Sequence, residues 1–514
     1  MLHRPAVDDL RDVLQIALRQ GADFADIFIE KKSVNGIGCD DNKIERIHSG
    51  IDIGAGIRVI AGESTAYAYT NDLSLEGLGH AAQVASHAAR GGAASRPIDL
   101  TKRSSPVQMV IESRPDEVAL EDKVEQVLRA NRHARNIDDR IKQVTVGYGD
   151  VVQEVTIANS EGDYIEDERI RTRFVVHAVA ADGAVIQTGY EALGGTKGFE
   201  IFQERDPESL AQAAVDRALL MLTAKPAPSG KMPVVMSSAA GGTMVHEACG
   251  HGLEADLAQK GLSVYAGKEG QQVASPLVTV VDDGTIAGKY GTLRFDDEGT
   301  PGQKNVLIEK GILKGFMHDR FTAGKEKRPS TGNGRRESYQ HKPLPRMTNT
   351  LIASGDEIPE KIIRDTKRGL FVKKMGGGQV NTTNGDFVFD VAEGYLIENG
   401  EIGAAVRGAT LTGNGPEVLR QIDRVGNDLG YAIGTCGKDG QGAPVSDAQP
   451  TLRITSLIVG GTGAAERGDE EDGQAAPGGR GGAGTGAGGG VGGGLRRLSA
   501  FDLLNNHAGR IRRL

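Results

Sequence analysis

The sequence predicts an α+β protein with two folded parts and a glycine-rich tail. Segments with a 3.6-residue apolar period and segments with a two-residue period both occur. They do not alternate regularly, as a doubly wound parallel sheet would require. The second half is also denser in short strand-like runs separated by glycine turns.

In the first part, residues 8–20 and 117–135 read as amphipathic helices, and 74–90 as an alanine-rich one. A further helical pattern covers 207–223, with Leu210, Ala214, Leu219 and Leu222 among its apolar positions. Residues 26–30, 52–60, 143–148, 153–158, 171–180 and 184–190 alternate apolar positions and read as strands. Helices packed on a mixed sheet are therefore expected, in a domain spanning 1–228. Its end is marked by Pro226, Pro228, Ser229 and Gly230. Beyond it, MPVVMS (232–237), VTVVDDGT (278–285), DFVFDVAEGYLIENGEI (386–402) and TLRITSLIV (451–459) read as strands. They predict a strand-rich domain of twisted antiparallel sheet over 229–462, interrupted by helices near 357–366 and 415–427. No repeat occurs at a solenoid period.

Residues 463–514 differ in kind. Positions 478–494 hold 12 glycines in 17 residues. Such a run buries nothing and costs much backbone entropy to order, so it reads as a disordered linker. Its formal GxGxxG at Gly484, Gly486 and Gly489 has no preceding strand and no helix directly after it, so it is an accident of composition.

The chain's 514 residues leave room for two or three domains and a large core. No stretch approaches the roughly 18 consecutive apolar residues of a membrane span. The N-terminal MLHRPAVDDL lacks the apolar core of a secretory signal. A net charge of −9 argues against a general nucleic-acid binder. Three cysteines, Cys39, Cys249 and Cys436, do not make a disulfide framework and point to a reducing cytoplasm.

The segment TMVHEACGHGLE (243–254) contains H-E-x-x-x-H. The common zinc-protease motif H-E-x-x-H spaces its histidines at i and i+4, about 40° apart around a helix axis, so both reach one ion. His246 and His251 lie at i and i+5, about 140° apart in an ideal α-helix. A π-like widening, one extra residue in the turn, restores the shared face. Gly250 and Gly252 permit that distortion, or a helix end at His251. The plain alternative is two unrelated histidines on a helix.

Cys436, in GTCGKDGQ, offers a soft third ligand on what reads as a glycine-rich loop before the last strand. It reads equally as a small packed residue. Two histidines and a thiolate would leave one zinc position open, as in catalytic sites. The same donors suit copper. Copper chemistry, however, has no use for Glu247 beside the first histidine, and hydrolysis does. There it would take a proton from water and return it to the leaving amine. Cys249 is not at ligand spacing and reads as a small helix residue.

With these residues in place, the chain resembles the TldD/PmbA family, and its TldD branch in particular, over roughly residues 8–462. The resemblance rests on GGTMVHEACGHGLEAD (241–256), FDDEGTPGQ (295–303), GNGRRESYQHKPLPRMTNT (332–350), GGGQVNTTNGDFVFDVAEGYLIENG (376–400) and TCGKDGQGAPVSDAQPTLRI (435–454). It implies a cytoplasmic metallopeptidase acting on unfolded peptides, in leader-peptide removal or breakdown of small unstable proteins. It further implies one Zn²⁺ per chain held by His246, His251 and Cys436, with Glu247 catalytic. A TldE/PmbA-like partner in a heterodimer is implied as well; a homodimer is the alternative. The tail departs from the family pattern.

Other residues have two readings each. Arg335 or Arg336 could clamp a peptide carboxylate or carbonyl, and Tyr339 or His341 could polarise an oxyanion. Ion pairs with Asp296, Asp297 or Glu298 are the alternative. Gly377 and Gly378, in the GGGQV segment, could align a peptide in strand fashion or form a tight turn. Glu254 and Asp256 could hold an imidazole N–H or be surface charges. The functional alternative is a non-catalytic peptide-binding or regulatory subunit with a structural metal, which the odd i+5 spacing motivates.

Overall fold

The computed structural model describes residues 5–93 and 97–463. The expected disordered tail, 463–514, lies outside them but for its first residue.

Residues 24–195 build a seven-stranded sheet. Its strands run in the order Ser64–Thr70, Lys43–Ala61, Phe24–Asp40, Ile141–Asn159, Asp163–Asp182. Val185–Gly195 and the short Thr101–Lys102 both pair with the last of these. Only the Thr101–Lys102 pairing is parallel, which makes the sheet mixed, as expected. Helices Val7–Leu18 and Leu75–Ala88 pack on one region around Leu10, Leu14, Ile27 and Ile57. Helices Leu120–Ile137 and Pro207–Thr223 pack on another around Val127, Val146, Phe174 and Leu210.

The main strands are longer than the sequence suggested, running 17 to 20 residues. The reason is that Asp26, Glu30, Arg58, Asp150, Arg169 and Arg171 are buried along them. These charges interrupt the apolar alternation without interrupting the backbone ladder.

The second part contains an eight-stranded and a six-stranded sheet. In the larger one, Arg368–Val380, Gly230–Met236, Leu452–Gly460, Thr410–Asn414 and Asp386–Glu398 pair in turn, and the last returns to pair with the first. This closed ring surrounds Phe387, Phe389, Leu411, Leu370 and Leu457, part of the largest apolar core. The smaller sheet runs Ile312–Leu313, Lys304–Glu309, Val280–Asp283, Asn349–Ile352, Gln441–Gln449, Gly430–Lys438. Most pairings are antiparallel. The helix expected over 415–427 ends at Arg420, because Ile422–Val425 instead pairs with Leu452–Ile454. Among the described residues, no helix is long and apolar enough to cross a membrane.

Candidate metal centre

The motif segment changes its helical pitch twice. Thr243–Val245 is α-helical, His246–Gly250 is a π-turn and His251–Leu253 is 3₁₀. The His251 N–H donates to the His246 carbonyl, five residues back. The extra residue turns the second imidazole onto the face of the first. Their ring centroids lie 4.9 Å apart, with the planes at 85°.

The surroundings hold this distortion in place. A Cβ on Gly250 would stand 2.2 Å from the Met347 sulfur, so only glycine lets the turn lie against that side chain. The Tyr265 hydroxyl donates to the Ala248 carbonyl at 3.0 Å and satisfies an acceptor within the turn. Met244, Val245, Ala248 and Cys249 face the core.

Cys436 sits on a strand, Gly430–Lys438, and not on the expected loop. It pairs with Ala443 across a hairpin whose turn residues, Asp439 and Gly440, have φ of 50° and 76°. Those left-handed values are those of a tight two-residue hairpin turn, which explains why a glycine-rich stretch is a strand end. Its Sγ lies 3.5 Å from His251 Nε2. The ligand-capable atoms of His246, His251 and Cys436 all fall within 4.8 Å of one another.

Each imidazole is fixed from behind. His246 Nδ1 is 2.8 Å from Asp447 Oδ1, and His251 Nδ1 is 3.1 Å from Glu254 Oε2. A carboxylate on Nδ1 fixes the neutral ring as the Nδ1–H tautomer and leaves the Nε2 lone pair free. Glu254 is fully buried and also meets Lys438 Nζ at 3.2 Å. Asp256 holds the same ammonium at 2.6 Å and touches neither ring. Arg346 donates to the Cys436 carbonyl.

Burial alone would push the Cys436 thiol up, but the two facing histidines outweigh it and hold it well below its ordinary value. Burial alone would lower His251, but Cys436 and Glu254 together raise it to about 10. His246 rises for the same reason, through Asp447 and Cys436 against burial. In the metal-free cluster the histidines thus acidify the Cys436 thiol, and the thiol and the carboxylates make both imidazoles more basic. Two imidazole nitrogens with oriented tautomers and one thiolate are a donor set that fits a zinc-type ion.

Glu247 borders the same cavity, of 870 Å³, as the three cluster residues. Burial raises its carboxyl pKa against the lowering pull of His246 and His251. Gly377 and Gly378 line this cavity as well. They belong to the strand Arg368–Val380, which past Val372 pairs on one side alone among the described residues.

The other candidates lie elsewhere. The Arg336 backbone N–H donates to Asp297 at 2.7 Å, and its guanidinium meets Tyr67 and Asp26 on the N-terminal sheet. Tyr339 packs with Phe28, Val155, Ile157 and Phe295, and its hydroxyl donates to Asp52. Arg335 donates to the Met347 carbonyl and lines a separate cavity. The residue that sequence reasoning passed over is Asp447. Its signal was a lone acid inside the strand-like segment APVSDAQ.

Three family models cover most of the chain. The PmbA/TldA metallopeptidase C-terminal domain matches residues 229–461, the central domain 113–222 and domain 1 residues 25–89. A Haemophilus influenzae metalloprotease TldD homologue is 38% identical over 466 residues, 88% of this chain and 96% of the relative. The chain belongs to the PmbA/TldD metallopeptidase family. A metalloprotease of Methanocaldococcus jannaschii is also 38% identical, over 86% of this chain and 98% of its own length. Among solved structures, TldE from Thermococcus kodakarensis matches with a TM-score of 0.68 at 20% identity, covering 88% of this chain and 99% of that one. A Thermotoga maritima protein described as a candidate modulator of a DNA gyrase matches with a TM-score of 0.72 at 24% identity, covering 88% and 100%. At such identities these two structures speak for the fold alone. For this PmbA/TldD chain, relatives named as metalloproteases imply a metal.

Proposed function

We propose that the chain is a zinc-dependent peptidase of unfolded peptides, with His246, His251 and Cys436 holding the ion. The observation that carries this reading is the convergence of two carboxylate-backed imidazoles and a thiolate at one wall of a large cavity. When bound, zinc supplies Lewis acidity toward water and a scissile carbonyl. Glu247 accepts a proton at its carboxylate and returns it to the leaving amine. Its half-buried setting raises its basicity toward that of a working general base. Asp447 and Glu254 keep both imidazoles in the ligating tautomer.

The substrate class follows from the cavity's other wall. The part of Arg368–Val380 past Val372, one-sided in its pairing and with Gly377 and Gly378 presenting no side chain, receives an extended peptide by strand addition. Backbone pairing reads an unfolded chain without regard to its side chains. That suits leader-peptide removal or the breakdown of small unstable proteins. Three free cysteines fit a cytoplasmic setting. The partner in this reading is a TldE/PmbA-like chain, supported by the shared fold of TldE, or else a second copy of this chain.

The test is metal content of the purified protein beside Cys436→Ser, followed by digestion of an unstructured peptide with and without a TldE-like partner. About one zinc per chain, lost in Cys436→Ser together with hydrolysis, is the expected result. A folded wild type that binds no zinc would refute it.

A further inference from the structure

A second cavity, of 270 Å³, lies between the N-terminal sheet and the C-terminal part. Arg171 enters it from the strand Asp163–Asp182, and Arg335 from the two-residue strand Gly334–Arg335. Both are more than nine-tenths buried, at 6% and 3% exposure. Neither has an acidic partner within ion-pair distance among the described residues. Each donates one hydrogen bond, to a main-chain carbonyl: Arg171 to Tyr290 at 3.2 Å and Arg335 to Met347 at 2.6 Å.

A guanidinium stays charged in a protein and carries five N–H donors. Two of them buried together with no acid in ion-pair contact are costly. Burial and the neighbouring Arg171 lower Arg335 to about 9 against the pull of Asp297, and burial and Arg169 lower Arg171 to about 10 against Asp297 and Asp167.

The acids that line the cavity are already engaged. Asp297 is bound by Arg169 and by the Arg336 N–H. Asp150 accepts from Lys123, Tyr148 and Asn35. Glu337 accepts from the Gly442 N–H. Half-buried Lys32 and exposed Arg46 add further positive charge to the lining. The volume exceeds several times the roughly 30 Å³ that a water takes in the liquid, so an oxyanion fits with its hydration.

We propose that this cavity is an anion site, in which Arg171 and Arg335 together clamp a small oxyanion, either a carboxylate or a phosphate group. Two guanidinium forks present paired N–H donors of the kind that planar and tetrahedral oxyanions accept. The site is separate from the cysteine–histidine cluster and does not rest on hydrolysis there. The two cavities meet at Thr435, one residue before Cys436, which lines both.

The test is calorimetric titration of the full chain at constant ionic strength. The probes are inorganic phosphate, N-acetylalanine and N-acetylalanine amide. Saturable binding of phosphate or of N-acetylalanine is expected, with no binding of the amide, and at least a tenfold loss of affinity in Arg335→Gln and in Arg171→Gln. N-acetylalanine alone assigns a carboxylate occupant, and phosphate alone a phosphate group. Thermal melts separate this from a purely structural role. Removing one of two adverse cations should leave Arg335→Gln at least as stable as wild type in chloride, while abolishing the rise in melting temperature that the bound anion gives wild type. Absence of saturable binding to either anion, or equal affinity in wild type and both variants, would overturn the proposal.

Discussion

Two of the buried clusters of charged and polar side chains among the described residues are built on opposite plans. One joins the N-terminal sheet to the C-terminal part. There Arg58 donates to Asp26 from Nε at 2.7 Å and pairs with Glu298, while Arg336 reaches Asp26 and the Asp297 carbonyl. Asp296 accepts the N–H groups of Glu298, Thr300 and Gly334. Apart from Arg336 Nε, the cluster's charged groups are engaged by one another or by backbone N–H groups, and it acts as a lock. The other is the His246–His251–Cys436 cluster. Each imidazole there has one nitrogen fixed by a carboxylate, while the second stays directed toward the thiolate. Burial and charge alone do not distinguish the two. Donor atoms left uncommitted, facing one point beside a cavity, do.

The sharpest way to break this comparison is Glu247→Gln. If the cluster is catalytic, hydrolysis of an unstructured peptide falls by about 10²–10⁴-fold, the usual contribution of a general base. Metal content and melting temperature stay close to wild type, since Glu247 belongs to neither the ligand set nor the lock. Unchanged hydrolysis would leave the metal a structural role. The counterpart in the lock is Arg58→Met. It strands Asp26 and Glu298 in the interior, so stability drops by about 3–5 kcal/mol in chemical denaturation. The folded fraction should keep its metal. Metal loss from that folded fraction would mean the two clusters are coupled.

Much of the second cluster was legible in the sequence. For one shared ion, the i+5 spacing of His246 and His251 asked for a widened turn or a helix end at His251, and the structure has the widened turn, with Gly250 packed inside it. What stayed hidden was set by strand register. Asp447 meets His246 across 201 residues of chain, through a hairpin that the sequence suggested was a loop. The long N-terminal strands were legible only in fragments, because inward-facing Asp26, Glu30, Arg58 and Arg171 look like solvent-exposed positions until their partners are known. Some of those partners lie on neighbouring strands, as Arg58 does for Asp26, and others in the other half of the molecule, as Glu298 does for Arg58, and a local pattern carries no trace of them.

The supporting carboxylates give the next smaller effect. Asp447→Asn keeps the shape of the side chain but removes the charge that raises His246 basicity. Zinc affinity should fall about 10–100-fold, measured by competition with a chromogenic chelator. An equal loss in Asp296→Asn, which alters the lock and not the ligands, would erase the distinction between the clusters.

The smallest effect is a pH dependence, and its sign follows from the histidines. In the metal-free chain His251 keeps its proton up to about pH 10, because Cys436 and Glu254 outweigh burial. An ordinary unfolded-state histidine loses its proton near pH 6.5. The stability that this raised value contributes is therefore fully present below about 6.5 and is lost as pH rises through about 10. Zinc binds the neutral imidazole, so it competes with that same proton. Its apparent affinity should rise with pH, by at most about tenfold per pH unit for each proton displaced. Melts of the metal-free and zinc-loaded protein should accordingly lie closer together near about pH 6 and separate toward about pH 9. Among the described residues no histidine hydrogen-bonds or ion-pairs with the lock, so Arg58→Met should shift both curves without changing how they diverge. A pH-independent gap between loaded and metal-free melts would show that the histidines bind the ion without releasing protons, and would contradict the raised basicity of the cluster.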